Sequence, residues 1–236
     1  MKTTIKTVLA AFLLLTFSCK KENNPIQPSD ITNKTSFQAD INKIDVALNS
    51  TSIKIGTQKW RIKNLDVSHY RNGDSIPEVK DAATWATLTT GAWCYYNNDP
   101  ANGAIYGKLY NWYAVNDPRG LAPSGWHIPS DAEWTALTAS LGGISTAGGK
   151  MKETGTTHWL TPNADATNSS GFTALPGGYR NDFGKFSFIG SISHFASSTA
   201  SGTTYAWYRN LGSSDGSVYR ATGNVVEGFS VRCIKD

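Results

Sequence analysis

Tryptophan and tyrosine are confined to one part of this 236-residue chain, and that confinement limits its possible folds most strongly. All eight tryptophans and all ten tyrosines lie between Trp60 and the C-terminus. Glycine is also frequent, which is typical of short elements joined by many turns. About 185 residues with so many large side chains can build a substantial core. The sequence therefore predicts one globular domain over residues 51–236.

The first eighteen residues have the layout of a secretory signal peptide. Lys2 and Lys6 precede an apolar run from Val8 to Phe17, and Cys19 follows almost at once. The run is about ten residues, too short to cross a hydrocarbon core of about 30 Å. A cysteine in this place is typical of bacterial lipoprotein signals. We predict that residues 1–18 are removed and that Cys19 is lipidated and contacts the membrane. Ordinary secretion with a free cysteine is the alternative.

Residues 19–50 have the composition of a flexible tether. They are rich in Asn, Ser, Thr, Lys and Pro and offer little to bury. Removing residues 1–18 takes two of the 22 basic residues and none of the 18 acidic ones, which leaves a net charge of +2. No run of Lys or Arg follows residue 21. We therefore expect no nucleic-acid partner.

Two cysteines, Cys94 and Cys233, remain in the predicted domain. A pair of cysteines in an oxidising compartment predicts a disulfide. The alternative is two separate buried thiols, since free cysteine is often buried.

Three segments have the apolar spacing of helices, and both ends of the domain have the pattern of strands. Helices are predicted over 81–91, 104–115 and 129–143. A hairpin is predicted over 51–65 and a strand over 227–236. Few helices and many short strands indicate an α+β domain with long irregular loops.

The segment GWHIPSDAEW, residues 125–134, contains a His, an Asp and a Glu within seven residues. Ser130 and Glu133 have the spacing of a capping box, and Asp131 and Glu133 fall in the first turn of the predicted helix. His127 has apolar neighbours, and we expect it to be packed and hydrogen-bonded. We therefore interpret this segment as a helix start and not as a catalytic cluster.

Three other motifs have structural interpretations. LGSSDGSVY contains G-x-S-x-G around Ser214 but lacks the strand and helix of a nucleophile elbow, so we predict a hairpin loop. GGISTAGGK, residues 142–150, departs from a phosphate-binding loop and is predicted to be a flexible loop. NNDPANG is rich in oxygen ligands but lacks the final acid of an EF-hand. We expect no cofactor other than possible calcium, bound by Asn97, Asp99 and Asn102.

Residues 193–228 have the composition of a recognition surface. They are rich in Ser, Gly, Thr, Tyr and Asn, which combine rigid aromatic area with adaptable hydrogen bonding. The predicted ligand is a glycan or a protein. The alternative is that alternate residues of two strands are buried in the core. The predicted ligand-binding residues are Tyr205, Trp207, Tyr208, Arg209, Tyr219 and Arg220.

Two other functions remain as alternatives to a binding module. A tethered domain would also suit a structural or assembly role in a surface layer or fimbria. An enzyme would need titratable groups that converge in one cleft. The sequence offers His127, Asp131, Glu133 and His158, but each has a structural explanation. We therefore expect no enzymatic activity and no catalytic residues.

Several strings, taken together, resemble the Fibrobacter succinogenes major paralogous domain of Bacteroidetes-type lipoproteins. The resemblance covers residues 51–236, and seven strings occur in order. The strings are GTQKWRIKNL, AWCYYNND, YGKLYNWYAV, APSGWHIPSDAEW, GGKMKETGTTHW, SSGFTALPGGYR and GFSVRCIKD.

This resemblance implies an α+β, C-type-lectin-like scaffold with short twisted antiparallel strands, two or three helices and long irregular loops. It also implies that the N- and C-terminal strands pair. It implies a lipoprotein of the outer membrane that faces the periplasm or the exterior. The C-terminal third also resembles formylglycine-generating enzyme. That enzyme needs a cysteine pair near the C-terminal end, where this chain has only Cys233, so the resemblance implies the scaffold and not the activity.

Overall fold

The structure is a computed structural model, and it describes residues 51–236. The predicted signal peptide over residues 1–18, the lipidation of Cys19 and the tether over 19–50 lie outside the described residues. None of the helices in the described part is long and apolar enough to cross a membrane.

The described chain contains five α-helices and twelve strands, most of them short. The helices are α1 Ala82–Ala86, α2 Pro100–Tyr106, α3 Trp112–Val115, α4 Asp131–Ser140 and α5 Ile144–Met151. The strands before α5 are β1 Ser52–Ile55, β2 Gln58–Arg61, β3 Trp93–Cys94, β4 Leu109–Tyr110 and β5 Trp126–His127. The strands after α5 are β6 Gly177–Arg180, β7 Phe186–Ile189, β8 Ile192–Ala200, β9 Tyr205–Gly212, β10 Tyr219–Asn224, β11 Phe229–Ser230 and β12 Ile234–Lys235. The α+β class is confirmed, with more helices than the two or three expected.

A four-stranded antiparallel sheet joins the two ends of the domain. Its order is β1-β2-β12-β5, and Ile234 of β12 lies opposite both Trp60 of β2 and His127 of β5. The predicted opening hairpin is confirmed, as is the pairing of the N- and C-terminal strands.

A larger, curled sheet forms the other half of the domain. Its order is β10-β9-β8-β11-β4-β3, and β6 adds to it through β8 and carries β7. Strands β8, β9 and β10 form a meander of successive antiparallel pairs. β11 returns to lie parallel to β8, with Ser230 opposite Phe195. This return places residues near the C-terminus beside the middle of the meander.

The capping box predicted for the third helix is confirmed. The Ser130 side chain accepts from the backbone N–H of Glu133, and the Glu133 carboxylate accepts from the backbone N–H of Ser130 at 2.7 Å. The backbone N–H groups of Ser130 and Glu133 have no partner within the helix, and each is hydrogen-bonded by the side chain of the other residue. The helix ends before Gly142, whose φ of 99° no longer fits a helix.

Two predictions of local structure were wrong. The helix predicted over 104–115 is interrupted at Gly107, where φ is 73°, and β4 separates α2 from α3.

The loop predicted at GGISTAGGK instead forms α5. The backbone of Gly148 lies so close to the carbonyl oxygen of Ser217 that a β-carbon on residue 148 would collide with it. The glycines of this helix therefore permit close packing of the backbone and do not confer flexibility.

An aromatic cluster fills the core between α4 and the two sheets. The Trp60 and Trp134 rings lie 4.8 Å apart, and Phe172 and Phe195 meet edge to face at 5.7 Å. All four side chains are fully buried. Aromatic pairs at these distances stabilise beyond their buried area.

Three fully buried cations tie the irregular loops to the core. Arg232 donates to the carbonyl oxygens of residues 61, 172 and 173 and to Asn64 Oδ1. Arg180 donates to the carbonyls of residues 79, 80 and 184. Lys152 Nζ donates to those of residues 164, 212 and 215 at 2.7–2.8 Å. None of the three forms an ion pair within the described residues. We call these residues the buried cation ties.

The strand predicted over 227–236 is not one continuous strand with alternate side chains buried. It breaks into β11 and β12, and every side chain from Phe229 to Ile234 is buried, including Arg232. The segment lies between the two halves of the core and is therefore covered on both sides.

The disulfide predicted between Cys94 and Cys233 is wrong for this structure, in which both are free, buried thiols. Cys94 lies on β3 of the large sheet and packs with Trp85 and Leu109. Cys233 precedes β12 of the small sheet and packs in a different cluster, with Val231. The alternative of two separate buried thiols is the one that the structure has.

We predict that both thiols are inert in the folded protein and free in the unfolded one. Burial raises the pKa of each thiol to about 12, so neither forms the reactive thiolate near neutral pH. In a Cys19→Ser variant, a thiol reagent should count close to zero thiols in buffer and two in denaturant without reductant. A count of zero in denaturant would instead demonstrate a disulfide.

Candidate functional site

The six predicted ligand-binding residues do not converge on one surface. Four of them lie on β9 and two lie on β10. Their side chains are divided between the two faces of this strand pair, because successive side chains of a strand alternate. Tyr208 enters a pocket, and Tyr205 lies at its rim. Trp207, Arg209 and Arg220 lie near α4 on the other face, while the Tyr219 hydroxyl donates to Asp215 at 2.8 Å.

Arg209 and Arg220 form an ion-pair network with Asp131 at the start of α4. Arg209 Nη1 donates to Asp131 Oδ1 at 2.7 Å, and Arg220 Nη2 donates to Oδ2 at 2.9 Å. Burial opposes ionisation of Asp131, but hydrogen bonds from the two arginines outweigh it and lower its pKa. The Arg220 guanidinium also stacks over Trp207 at 3.3 Å. Arg209 is therefore a buried structural residue, and one face of Trp207 is already occupied.

A pocket of about 310 Å³ opens on the other face of the meander. We call it the aromatic pocket. It is lined by six ring-bearing residues from neighbouring strands and by a smaller polar set. The rings belong to Tyr179, Phe188, His194, Tyr205, Tyr208 and Phe229, and the other lining residues are Asp182, Thr222, Gly223, Asn224 and Glu227.

Five of the six rings of the aromatic pocket, all except that of Tyr205, form one continuous wall. The centroids of Tyr179 and His194 lie 4.6 Å apart, and those of Tyr208 and Phe229 lie 4.8 Å apart. His194 and Phe229 stack at 5.5 Å with only 8° between their planes. The parallel return of β11 beside β8 produces this contact. The wall therefore depends on the topology of the sheet and not on any local motif.

Two titratable groups in the aromatic pocket have pKa values far from their ordinary ones. His194 is 6% exposed, and its Nδ1 has no hydrogen-bond partner among the described residues. Burial lowers the pKa of His194 to about 3, so the ring is neutral at pH 7. Burial, together with the nearby Asp182 carboxylate, raises the pKa of Glu227 to about 7. A buried polar atom without a partner is costly unless a ligand or water satisfies it.

Gly223 creates the space at the floor of this pocket. A β-carbon on this residue would meet the Glu227 carboxylate and would lie 3.0 Å from the Phe229 ring. Only glycine therefore leaves Glu227 and Phe229 in their observed positions.

The residues considered for catalysis are engaged in structural contacts. His127 Nε2 lies 2.8 Å from Glu133 Oε1, and its Nδ1 lies 2.7 Å from Asp236 Oδ1. The Ser130 hydroxyl donates to Glu133 and not to His127, so no Ser-His-acid relay forms. Burial opposes protonation of His127, but its two carboxylate partners outweigh this and raise its pKa. His127 is hydrogen-bonded as expected, although it is partly exposed.

The His158 candidate lies apart from this group. Its Nδ1 is 2.8 Å from Glu153 Oε2, and its ring meets Tyr106 edge to face. The four candidate groups therefore do not line one cleft.

The possible calcium ligands form internal contacts in the described structure. Asp99 caps α2 by accepting from the backbone N–H of Ala101, and the Asn102 amide donates to the Tyr96 carbonyl. Asn97 is exposed with φ of 54°. Calcium binding at this loop stays a prediction. Within residues 51–236, no group of three His, Cys, Asp or Glu side chains is placed to hold a metal ion.

Sequence reasoning missed the residues that build the aromatic pocket. Of the six predicted residues it contains only Tyr205 and Tyr208. His194 and Glu227 lay inside the predicted recognition stretch but were not singled out. Tyr179 lies outside that stretch, and no local spacing connects it with Phe229.

The fold and pocket define an α+β domain with an aromatic pocket on the outer strands of a curled sheet. The family model of the Fibrobacter succinogenes major domain matches residues 53–235, and the chain belongs to that family. No curated protein and no solved structure matches the sequence significantly.

Proposed function

We propose that this protein is a lipid-anchored binding module of the cell envelope that holds part of a glycan in the aromatic pocket. The observation that carries the proposal is the combination in one pocket of a wall of aromatic rings with the carboxyls of Asp182 and Glu227. Ligand sites are commonly concave, with aromatic walls and a few convergent polar groups.

The volume of the pocket suits a small part of a larger ligand. About 310 Å³ lies at the low end of the range for small-molecule sites. One sugar ring would fill it, with its apolar face on the aromatic wall and its hydroxyls near Asn224 and Glu227. Tyr205 and Phe188 are about half exposed at the rim, where they would contact the next unit of a chain.

The cellular setting is part of the proposal and rests on the sequence. The predicted signal peptide, Cys19 and tether would place the domain in the envelope as an outer-membrane lipoprotein. The expected C-type-lectin-like scaffold also belongs here, supported by the paired chain ends and the long irregular loops. Such a scaffold would present the aromatic pocket to a ligand outside the cytoplasm.

We expect Tyr205→Ala to weaken glycan binding about fivefold, because the lost ring contact is worth about 1 kcal/mol. The purified chain in detergent would be screened on a glycan array, and affinities for its ligands would be measured by titration. Tyr219→Ala is the matched control, because both tyrosines are 48% exposed but only Tyr205 borders the pocket.

The alternatives give different results in the same experiment. Binding that survives Tyr205→Ala but is lost in Trp207→Ala would move the site away from the aromatic pocket to the surface around Trp207. A folded protein that binds no glycan would contradict the proposal and would favour a protein partner or an assembly role.

A further inference from the structure

We infer that the group held in the aromatic pocket is a protonated amine carried by the glycan, as in an amino sugar. This inference rests on the proposed function and names the chemistry of the group that the pocket recognises. It is carried by the acidic lining of the pocket, by its aromatic rings and by the lack of a lysine or arginine among the lining residues.

The lining of the pocket is acidic and has no cation of its own. It contains Asp182 and Glu227 but no lysine or arginine. Elsewhere in the described domain, carboxylates such as Asp131 and Asp117 pair with arginines. Neither Asp182 nor Glu227 forms an ion pair among residues 51–236. The Asp182 carboxylate lies close enough to Glu227 to add to the rise in the Glu227 pKa that burial causes, and two neighbouring carboxylates favour a positive charge beside them.

The aromatic wall favours the same charge. Faces of tyrosine and phenylalanine rings attract cations, most strongly where water is excluded. Tyr179, Tyr208 and Phe229 line the pocket. Elsewhere in the domain, comparable rings hold internal cations: Arg180 lies 4.5 Å from the Trp85 ring. The rings of the aromatic pocket have no internal cation among the described cation–ring contacts.

His194 does not oppose an ammonium group. Its ring lines the pocket and is neutral, so it adds no positive charge to the lining. An ammonium group has three donors, and the pocket offers the carboxylates of Glu227 and Asp182 to receive them.

The first test compares ligands that differ only in the charge of the amine. A short glucosamine oligomer and its N-acetylated form have the same rings, and Nα-acetyl-lysine amide and its Nε-acetylated form represent the protein source of an amine. Binding to the full chain would be measured by NMR or calorimetry. We expect the free amino sugar to bind at least tenfold more tightly than its acetylated form.

Isosteric variants then assign the charge effect to the pocket. Glu227→Gln and Asp182→Asn should each reduce the preference for the free amine at least threefold without loss of fold. Glu78→Gln is the matched control, since Glu78 pairs with Lys80 outside the pocket. An unchanged preference in both pocket variants would overturn the inference.

The pH dependence gives an independent readout. Tyr179, His194, Tyr208 and Asp182 share the pocket with Glu227, and none of the three rings is charged at neutral pH. A bound cation favours ionised Glu227, so affinity for the lysine derivative should rise through about pH 7 and then level off. The lysine amine stays protonated across this range. Glu227→Gln should remove the rise, and a rise that persists in that variant would contradict the inference.

The outcomes separate this inference from the proposed function. If neutral glycans bind in the pocket as tightly as amino sugars, the function stands and the inference fails. If only the lysine derivative binds, the amine chemistry stands and the source is a protein instead of a glycan. If no ligand binds and the pocket variants change nothing, both fail.

Discussion

Replacing Arg232 with methionine is expected to lower the free energy of unfolding by about 3 kcal/mol or more, because several buried acceptors lose their donor, and this is a large share of a typical domain's stability. The Arg232 guanidinium is fully buried and donates to main-chain carbonyls of residues 61, 172 and 173 and to Asn64 Oδ1. Methionine fills much of the same volume but donates no hydrogen bond, so these acceptors would stay buried without partners. The loss would be measured by urea denaturation, followed by tryptophan fluorescence.

Arg220→Met is the matched control for this prediction. Arg220 also pairs with an acceptor side chain and stacks on an aromatic ring, but its side chain is 45% exposed. Exposed ion pairs contribute little to stability because water and salt screen them, so the control should unfold close to the wild-type midpoint. Equal losses in the two variants would mean that the burial of Arg232 has no special importance.

Replacing Trp134 with alanine is expected to cost about 3–5 kcal/mol, the range for deleting a large aromatic side chain from a core. Its ring is fully buried and packs against Trp60, Phe172 and Phe195 at 4.8–6.0 Å. Deleting it opens a cavity where α4 meets both sheets, and the surrounding rings can collapse only in part. Thermal and urea unfolding would measure the loss.

Trp134→Phe separates packing from hydrogen bonding at this position. Phenylalanine keeps an aromatic ring but loses the indole N–H, which donates to the Ala196 carbonyl at 3.2 Å. We expect a loss of about 1–2 kcal/mol. A phenylalanine variant as unstable as the alanine variant would show that the hydrogen bond, and not the cavity, dominates.

Local signals in the sequence predicted those elements whose causes are also local. The capping box of Ser130 and Glu133 lies within four residues, and the hairpin at 52–61 needs only a short turn. The helix predicted over 104–115 failed because Tyr106, Leu109 and Tyr110 are buried for a different reason. They face the core from separate elements, and the spacing of these buried residues in the sequence is the same as that of one face of a helix.

Predictions that depended on long-range packing were less successful. Glycines in α5 indicated a loop, whereas the helix uses Gly148 to lie close to the backbone near Ser217. The aromatic pocket needs β11 to return beside β8, so that Phe229 stacks on His194. Periodicity within one strand holds no information about that return, which is why only two of the six predicted residues lie in the pocket.

The buried cation ties have a consequence for how the loops can vary. Arg232, Arg180 and Lys152 bind mainly the main chain of the loops, and a carbonyl oxygen is the same whichever side chain its residue carries. Loop side chains can therefore be exchanged without removing these anchors. A carbonyl also takes up no proton in mild acid, so the anchors persist under conditions that break carboxylate salt bridges. The fold thus separates the groups that secure its loops from the groups that the loops display.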